Sequence, residues 1–224
     1  MNHSATRIRR SAGEGLYDPR FEHDSCGVGF VAQIKNRQSH AIVEQGLEIL
    51  LRLTHRGAVG ADPREGDGAG ILLQLSDNFF RPAAEEAGIR LPDHGEYGVA
   101  MCFLPRDDDH RRQCEAILEQ TVREEGQRLL GWRDVPVDPD AADLPQSVLD
   151  CRPVIRQCFV AMGEGCGDQE RFERKLFVIR KVTQHRVADR AFDDPARFYI
   201  ASFSSRTIVY KGMFLSHQLS AFYP

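Results

Sequence analysis

The chain has 224 residues, 42% of them hydrophobic and 28% charged, and a formal net charge of −4. That composition suits a soluble globular protein able to bury a core without disulfide or metal staples. The acidic balance gives no electrostatic basis for binding nucleic acid or an anionic membrane, and no apolar run reaches the roughly 20 residues a membrane helix needs.

The first 25 residues carry Arg7, Arg9 and Arg10 but no continuous apolar segment, so they do not form a signal peptide. Glu14, Asp18, Glu22 and Asp24 are too many acids for a mitochondrial transit peptide. Residues 1–25 therefore read as a disordered arm or a pro-segment destined for removal. The stretch from Cys26 to Ile34, C-G-V-G-F-V-A-Q-I, is apolar between polar flanks and predicts a buried strand. Gly27 and Gly29 leave one side of it bare, open to another backbone or a ligand.

A helix is predicted from about His40 to Thr54, with Ile42, Gly46, Ile49, Leu50 and Leu53 on one face and Ser39 as its N-cap. A Gly-rich, acid-rich loop follows from His55 to Gly70 and leads into a strand at Ile71–Leu75. Asn78–Gly88 predicts a helix whose start Pro82 restricts, and Tyr97–Leu104 a third strand. Asp107–Leu130 reads as a long polar helix with Cys114, Ile117, Leu118, Thr121 and Val122 inward. Trp132–Pro145, rich in Pro and Asp, reads as a surface connection.

Val154–Met162 predicts a strand. Asp168–Val187 predicts a helix with Phe172, Leu176, Ile179 and Val182 on one face. Phe198–Phe203 and Thr207–Lys211 predict two antiparallel strands joined across Ser204-Ser205-Arg206. This order suits either a doubly wound parallel sheet or stacked sheets flanked by helices, and the pattern does not separate them.

The six cysteines stand at 26, 102, 114, 151, 158 and 166, with no C-x-x-C pair and no His spacing that completes a zinc site. Five are expected to be buried, reduced thiols of a cytoplasmic protein. Cys26 differs because it sits where a polar leader meets an apolar strand. If the chain began there, its α-amino group, with a pKa of about 7.7–8.0, could take the thiol proton. That chemistry requires cleavage of the Ser25–Cys26 bond, which His23 and Asp24 could assist, although a solvated pair is the simpler reading. Without cleavage, Cys26 merely starts a strand.

In the loop, Arg56 could hold a carboxylate or brace the backbone through its planar fork of donors. The loop has neither G-x-x-x-x-G-K-S/T nor G-x-G-x-x-G spacing, which argues against a phosphate cradle. Asp107-Asp108-Asp109 reads as a charged helix start, and Glu164–Asp168 lacks the ligand count of a calcium loop.

Together, D-x-C-G-V-G-F, L-T-H-R-G-A and G-D-G-A-G-I resemble the start of glutamate synthase large (alpha) subunits, whose N-terminal domain is a class II glutamine amidotransferase. Later strings agree: G-W-R-D-V-P-V-D, R-K-L-F-V-I-R-K and S-F-S-S-R-T-I-V-Y-K-G-M, at 131–138, 174–181 and 202–213. The resemblance runs from about Tyr17 to the last residue. It implies an α+β four-layer α/β/β/α sandwich of the N-terminal-nucleophile hydrolase type, incomplete here, with residues 1–25 as leader and 26–224 as the front portion of the domain. It implies Cys26 as the catalytic nucleophile on glutamine, and Arg56, Gly27, Asp67 and Gly68 as substrate-binding or site-shaping residues.

The resemblance further implies FMN and an iron–sulfur cluster in the full enzyme but no cofactor in this segment. The implied partners are the remaining domains and an electron-donor subunit or ferredoxin, with no nucleic acid or membrane. An H-S-R-F-S-T-N-like and an H-N-G-E-like segment, which would supply a substrate arginine and the oxyanion hole, are missing, and no Asn-Gly dipeptide occurs. The 224 residues by themselves are therefore expected to hydrolyse glutamine poorly or not at all. Two other readings stand beside this one: a non-catalytic remnant that binds a partner, and an N-terminal-nucleophile hydrolase acting on another amide.

Overall fold

In chain order the elements are α1 (His40–Arg52), β1 (Ala69–Gln74), α2 (Asp77–Glu86), β2 (Tyr97–Leu104), α3 (Asp108–Glu124), β3 (Arg128–Asp134), α4 (Gln146–Cys151), β4 (Val154–Ala161), α5 (Gln169–Ala188), β5 (Tyr199–Ser204), β6 (Thr207–Gly212) and α6 (Gln218–Phe222). They come from a computed structural model that describes residues 27–35, 37–190 and 198–224. The strands form a four-stranded sheet ordered β3-β4-β2-β5 and a two-stranded sheet of β1 and β6. Every pairing is antiparallel. That removes the parallel doubly wound alternative among the described residues.

β2 shows why the sheets stack. Its side chains alternate between faces, and both faces are apolar. Tyr97, Val99 and Met101 point into a core shared with Phe159, Ala201, Ile208 and Phe214, between the two sheets. Ala100, Cys102 and Leu104 point the other way, onto Leu118 of α3 and Phe172, Leu176 and Ile179 of α5. The layers are therefore a helix pair, the four-stranded sheet and the two-stranded sheet. α1 lies beside β1, with Leu47 and Leu50 against the inter-sheet core. None of its residues is fully buried. On the other face of β1, Leu72 is 64% exposed.

The starts of α3 and α5 are capped by a side chain, whereas Ser39, at the N-cap of α1 as predicted, makes no side-chain cap bond. Asp107 accepts the His110 N–H at 2.8 Å and Asp168 accepts the Arg171 N–H at 2.7 Å. The buried face of α3 is Cys114, Ile117, Leu118, Thr121 and Val122, as its spacing predicts. That of α5 is Phe172, Leu176, Ile179, Thr183 and Val187. Val182, predicted inward, is half-buried beside this stripe, because i+4 steps from Ile179 run through Thr183.

Four expectations change. α3 ends at Glu124, and Gly126, at φ +71°, turns the chain into β3. The connection predicted from Trp132 therefore begins as a strand. Trp132 is held there by its Nε1–H to Glu119 (2.9 Å) and by the Arg156 guanidinium 5.4 Å from its ring centre.

β5 and β6 are antiparallel strands in different sheets. β5 pairs with β2, β6 with β1, and the Ser204–Arg206 corner carries the chain from one sheet to the other.

The described part of the predicted Cys26–Ile34 strand, residues 27–34, is in no ladder, and Val28, Phe30 and Ile34 are 86%, 88% and 99% exposed. An apolar run becomes a strand only by pairing with a free strand edge, and residues 27–34 pair with none of the described strands. Finally, Cys151 is exposed, whereas Cys102, Cys114, Cys158 and Cys166 are buried as expected.

Candidate active site

α1 does not end abruptly. After Arg52 the chain tightens into a 3₁₀ turn, Thr54–Arg56, with the Arg56 N–H on the Leu53 carbonyl at 2.8 Å. Gly57 releases it into extended backbone. The Gly-rich loop then folds on itself as a small hairpin. Val59 bridges Gly66, Gly60 N–H donates to the Glu65 carbonyl (2.8 Å), and Asp67 N–H donates to the Ala58 carbonyl (3.3 Å).

The hairpin tip is a turn written in the sequence Asp62-Pro63-Arg64-Glu65. Glu65 N–H donates to the Asp62 carbonyl at 2.9 Å. Pro63 supplies the fixed φ that the second turn position favours, and Asp62 accepts the Arg64 N–H at 2.9 Å. The Arg64 fork also reaches both carboxylate oxygens of Asp62, at 3.1 and 2.8 Å. Ser147 at the start of α4 donates to Glu65 at 2.5 Å.

The predicted site residues gather at the base of this hairpin. A side chain at Gly27 would come within 3.2 Å of Arg56 Cβ and 3.1 Å of Leu53. One at Gly29 would run into Ile49 of α1. The bare side of the 27–29 segment therefore faces the end of α1 rather than open space. One at Gly57 would lie 3.4 Å from Asp67 Oδ1, so Arg56-Gly57 and Asp67 are neighbours. Gly68 has φ +140° and leads into β1 opposite Gly212, a conformation that disfavours any side chain. Arg56, Asp67 and Gly68 are exposed and Gly27 is half-buried. Cys26 and the leader 1–25 lie outside the described residues.

The Asp62–Arg64 ion pair was not anticipated, although the Asp-Pro-Arg string could have revealed the turn. The side-chain hydrogen bond from Arg64, with the one from its N–H, lowers the Asp62 pKa to about 2. A depressed carboxyl stabilises the folded form above its free-acid pKa and loses that contribution as pH falls through the folded value. The turn is thus expected to stay charged at any pH above the ordinary carboxylate pKa of about 3.9. NMR titration should give a midpoint near 2 for Asp62, and Arg64→Ala should raise it part of the way to the ordinary range, because the backbone N–H at that position still donates to the carboxylate. An unshifted midpoint in the parent would show that the pair does not form.

The remaining thiols are chemically quiet. Burial raises the Cys114 pKa to about 11 and pushes Cys102 and Cys158 up as well. At pH near 8, alkylation of the native chain is expected to reach exposed Cys151 well before Cys102, Cys114 and Cys158, because the thiolate is the reactive form. Equal labelling rates by peptide mass mapping would contradict the burial. Among the described residues no three His, Cys, Asp or Glu side chains could hold a metal ion. No helix of the described residues is long and apolar enough to cross a membrane.

The sequence pattern of the family described as class-II glutamine amidotransferases matches residues 26–224. The chain is 43% identical over 210 residues to the glutamate synthase (NADPH) large chain of Bacillus subtilis, covering 94% of this chain and 13% of that one. It is 41% identical over 209 residues to the corresponding chain of Azospirillum brasilense, covering 93% and 13%. It is 37% identical over 209 residues to the chloroplastic ferredoxin-dependent glutamate synthase 2 of Arabidopsis thaliana, covering 93% and 12%. The chain thus spans only about an eighth of the length of these relatives.

Proposed function

The chain belongs to the class II glutamine amidotransferases, and from that premise we propose that it carries the nucleophile half of the glutaminase site of a glutamate synthase. The observation that carries this reading is the position of Gly27. It follows Cys26, the residue at which the family match begins, and it packs on Arg56. The nucleophile's neighbour and the Arg-Gly loop thus lie side by side, with Asp67 next to Gly57, which supports reading them as one site.

In this reading residues 1–25 are removed and Cys26 becomes the first residue. Its α-amino group takes the thiol proton, and the thiolate attacks the γ-carbonyl carbon of glutamine. The C–N bond then breaks, the nitrogen leaves as ammonia with the proton returned by the amine, and a γ-glutamyl thioester remains. Water cleaves the C–S bond, giving glutamate and the free thiol. Gly27, Arg56, Asp67 and Gly68 shape the pocket around the amide.

We read the layers as three of the four in an N-terminal-nucleophile hydrolase sandwich, with α1 contributing to the fourth. The ammonia would pass to the remaining domains of the larger enzyme. FMN, the iron–sulfur cluster and the contact with a ferredoxin or NADPH-linked donor would belong there. Five unpaired thiols among the described residues favour a reducing, cytoplasmic setting.

The test uses a chimera carrying residues 1–224 in place of the matching segment of the Bacillus subtilis large chain. Intact mass should show loss of residues 1–25, and glutamine should yield glutamate and ammonia. A chimera that turns over glutamine with its leader attached, or one labelled equally by glutamine-like and unrelated amide electrophiles, would refute the reading.

A further inference from the structure

The Gly57–Gly68 loop is held from behind by one turn far away in sequence. α6 is anchored by Leu219 and Phe222, each 1% exposed in the inter-sheet core. The turn just before it, Phe214–His217, lies against the loop. Gly66 packs so closely on Phe214 and Leu215 that any side chain there would overlap their backbone.

Gln218, 1% exposed, ties the two together. Its Oε1 accepts the Leu215 N–H at 2.8 Å, and its Nε2 donates to the Arg64 carbonyl at 3.0 Å. A second tie stands on the other side of Arg56, where the Thr54 and Ser216 hydroxyls are 2.7 Å apart. One turn therefore grips the chain two residues before Arg56 and again at Arg64 to Gly66.

We infer that Gln218 is a positioning residue for the glutaminase site, fixing the Gly-rich loop, and with it Arg56 and Asp67, through its bond to the Arg64 carbonyl. The inference rests on the reading of the site given above. The physical argument is one of tolerance. A buried amide that satisfies one donor and one acceptor at fixed distances locks the loop's register against a rigid core. Displacement of a site by about 1 Å can cost on the order of 10²-fold in rate. Gln218 is almost fully buried, so its effect must appear as misplacement of other groups.

Gln218→Met keeps the length and loses both hydrogen bonds, whereas Leu219→Ala weakens the same anchor without touching the loop. Ser216→Ala removes the second tie with little threat to the fold. In the chimera, each assayed well below its own Tm, Gln218→Met is expected to lower kcat/KM for glutamine roughly 10–100-fold. Ser216→Ala should lower it less, and Leu219→Ala should leave it within about threefold of the parent. In the 224-residue chain, amide exchange at Gly60, Glu65 and Asp67 should speed up about tenfold in Gln218→Met but not in Leu219→Ala, with Val99 and Phe159 unchanged in both.

The inference is overturned if Gln218→Met leaves both readouts within threefold of the parent. It is equally overturned if Leu219→Ala matches Gln218→Met in both. A parent chimera without Cys26-dependent turnover would refute the reading of the site, and the exchange measurement would still decide whether Gln218 holds the loop.

Discussion

With Cys26 replaced by alanine, glutamine hydrolysis by the chimera is expected to fall by roughly 10⁴-fold or more, the scale seen when a covalent nucleophile is removed. Stability should not change with it, because the residue starts a segment whose described part makes no ladder hydrogen bonds. Cys26→Ser should also fail. A hydroxyl is far less acidic than a thiol, so an α-amino base with a pKa of about 7.7–8.0, although able to serve a hydroxyl nucleophile, leaves much less of it activated. Ammonia release by a coupled assay checks both variants. If the alanine form keeps more than a tenth of the parent rate, Cys26 is not the nucleophile, and the remnant or partner-binding reading becomes the better one. If both variants lose turnover but still lose the leader, the cut does not need the thiol, and only the glutaminase step does.

Glu173→Ala is expected to give the largest loss of stability among polar substitutions, about 3 kcal/mol, because it removes several hydrogen bonds to a charged acceptor at once. Glu173 on α5 accepts the Ser204 hydroxyl at 2.9 Å, the Ser205 N–H at 2.5 Å and the Ser205 hydroxyl at 2.6 Å. These bonds hold the corner at which the chain leaves the four-stranded sheet for the two-stranded one. Ser205 is fully buried, so its N–H and hydroxyl would be left without an acceptor and out of reach of water. For a chain of this length that corresponds to a drop in Tm of roughly 6–12 °C. Glu173→Gln should recover part of it by keeping one acceptor oxygen. Differential scanning calorimetry would measure both. A change under about 1 kcal/mol for the alanine variant would mean that the corner is held by packing alone.

The corner also shows where sequence reading reaches its limit. Phe198–Phe203 and Thr207–Lys211 are legible as strands because β-branched and aromatic residues flank a polar break. A three-residue break between two strands reads as a hairpin. Whether the strands pair with each other or with other partners depends on which edges are free, and β2 and β1 offer theirs. Trp132 illustrates the same point in reverse. Leu129 and Leu130 continue the apolar spacing of α3 well enough to hide the turn at Gly126. Only the open edge of β4 makes that stretch a strand. At the site, Arg56 and Asp67 could be singled out as polar residues among glycines. Gln218 could not, since nothing local relates it to Arg64, 154 positions away.

By itself the sequence determined the position of most helices and strands, the inward stripe of α3, and a chain of motifs carrying Cys26, Arg56 and Gly68 in order. Those are properties of local spacing and residue chemistry, which the chain expresses wherever it goes. Tertiary structure alone decided the sheet pairing, the passage of β5 and β6 into separate layers, and the fastening of the Gly-rich loop to a turn near the end of the chain. Each of these depends on which edges and buried polar atoms meet once the two apolar faces of β2 are covered, and that meeting is not encoded in any one segment.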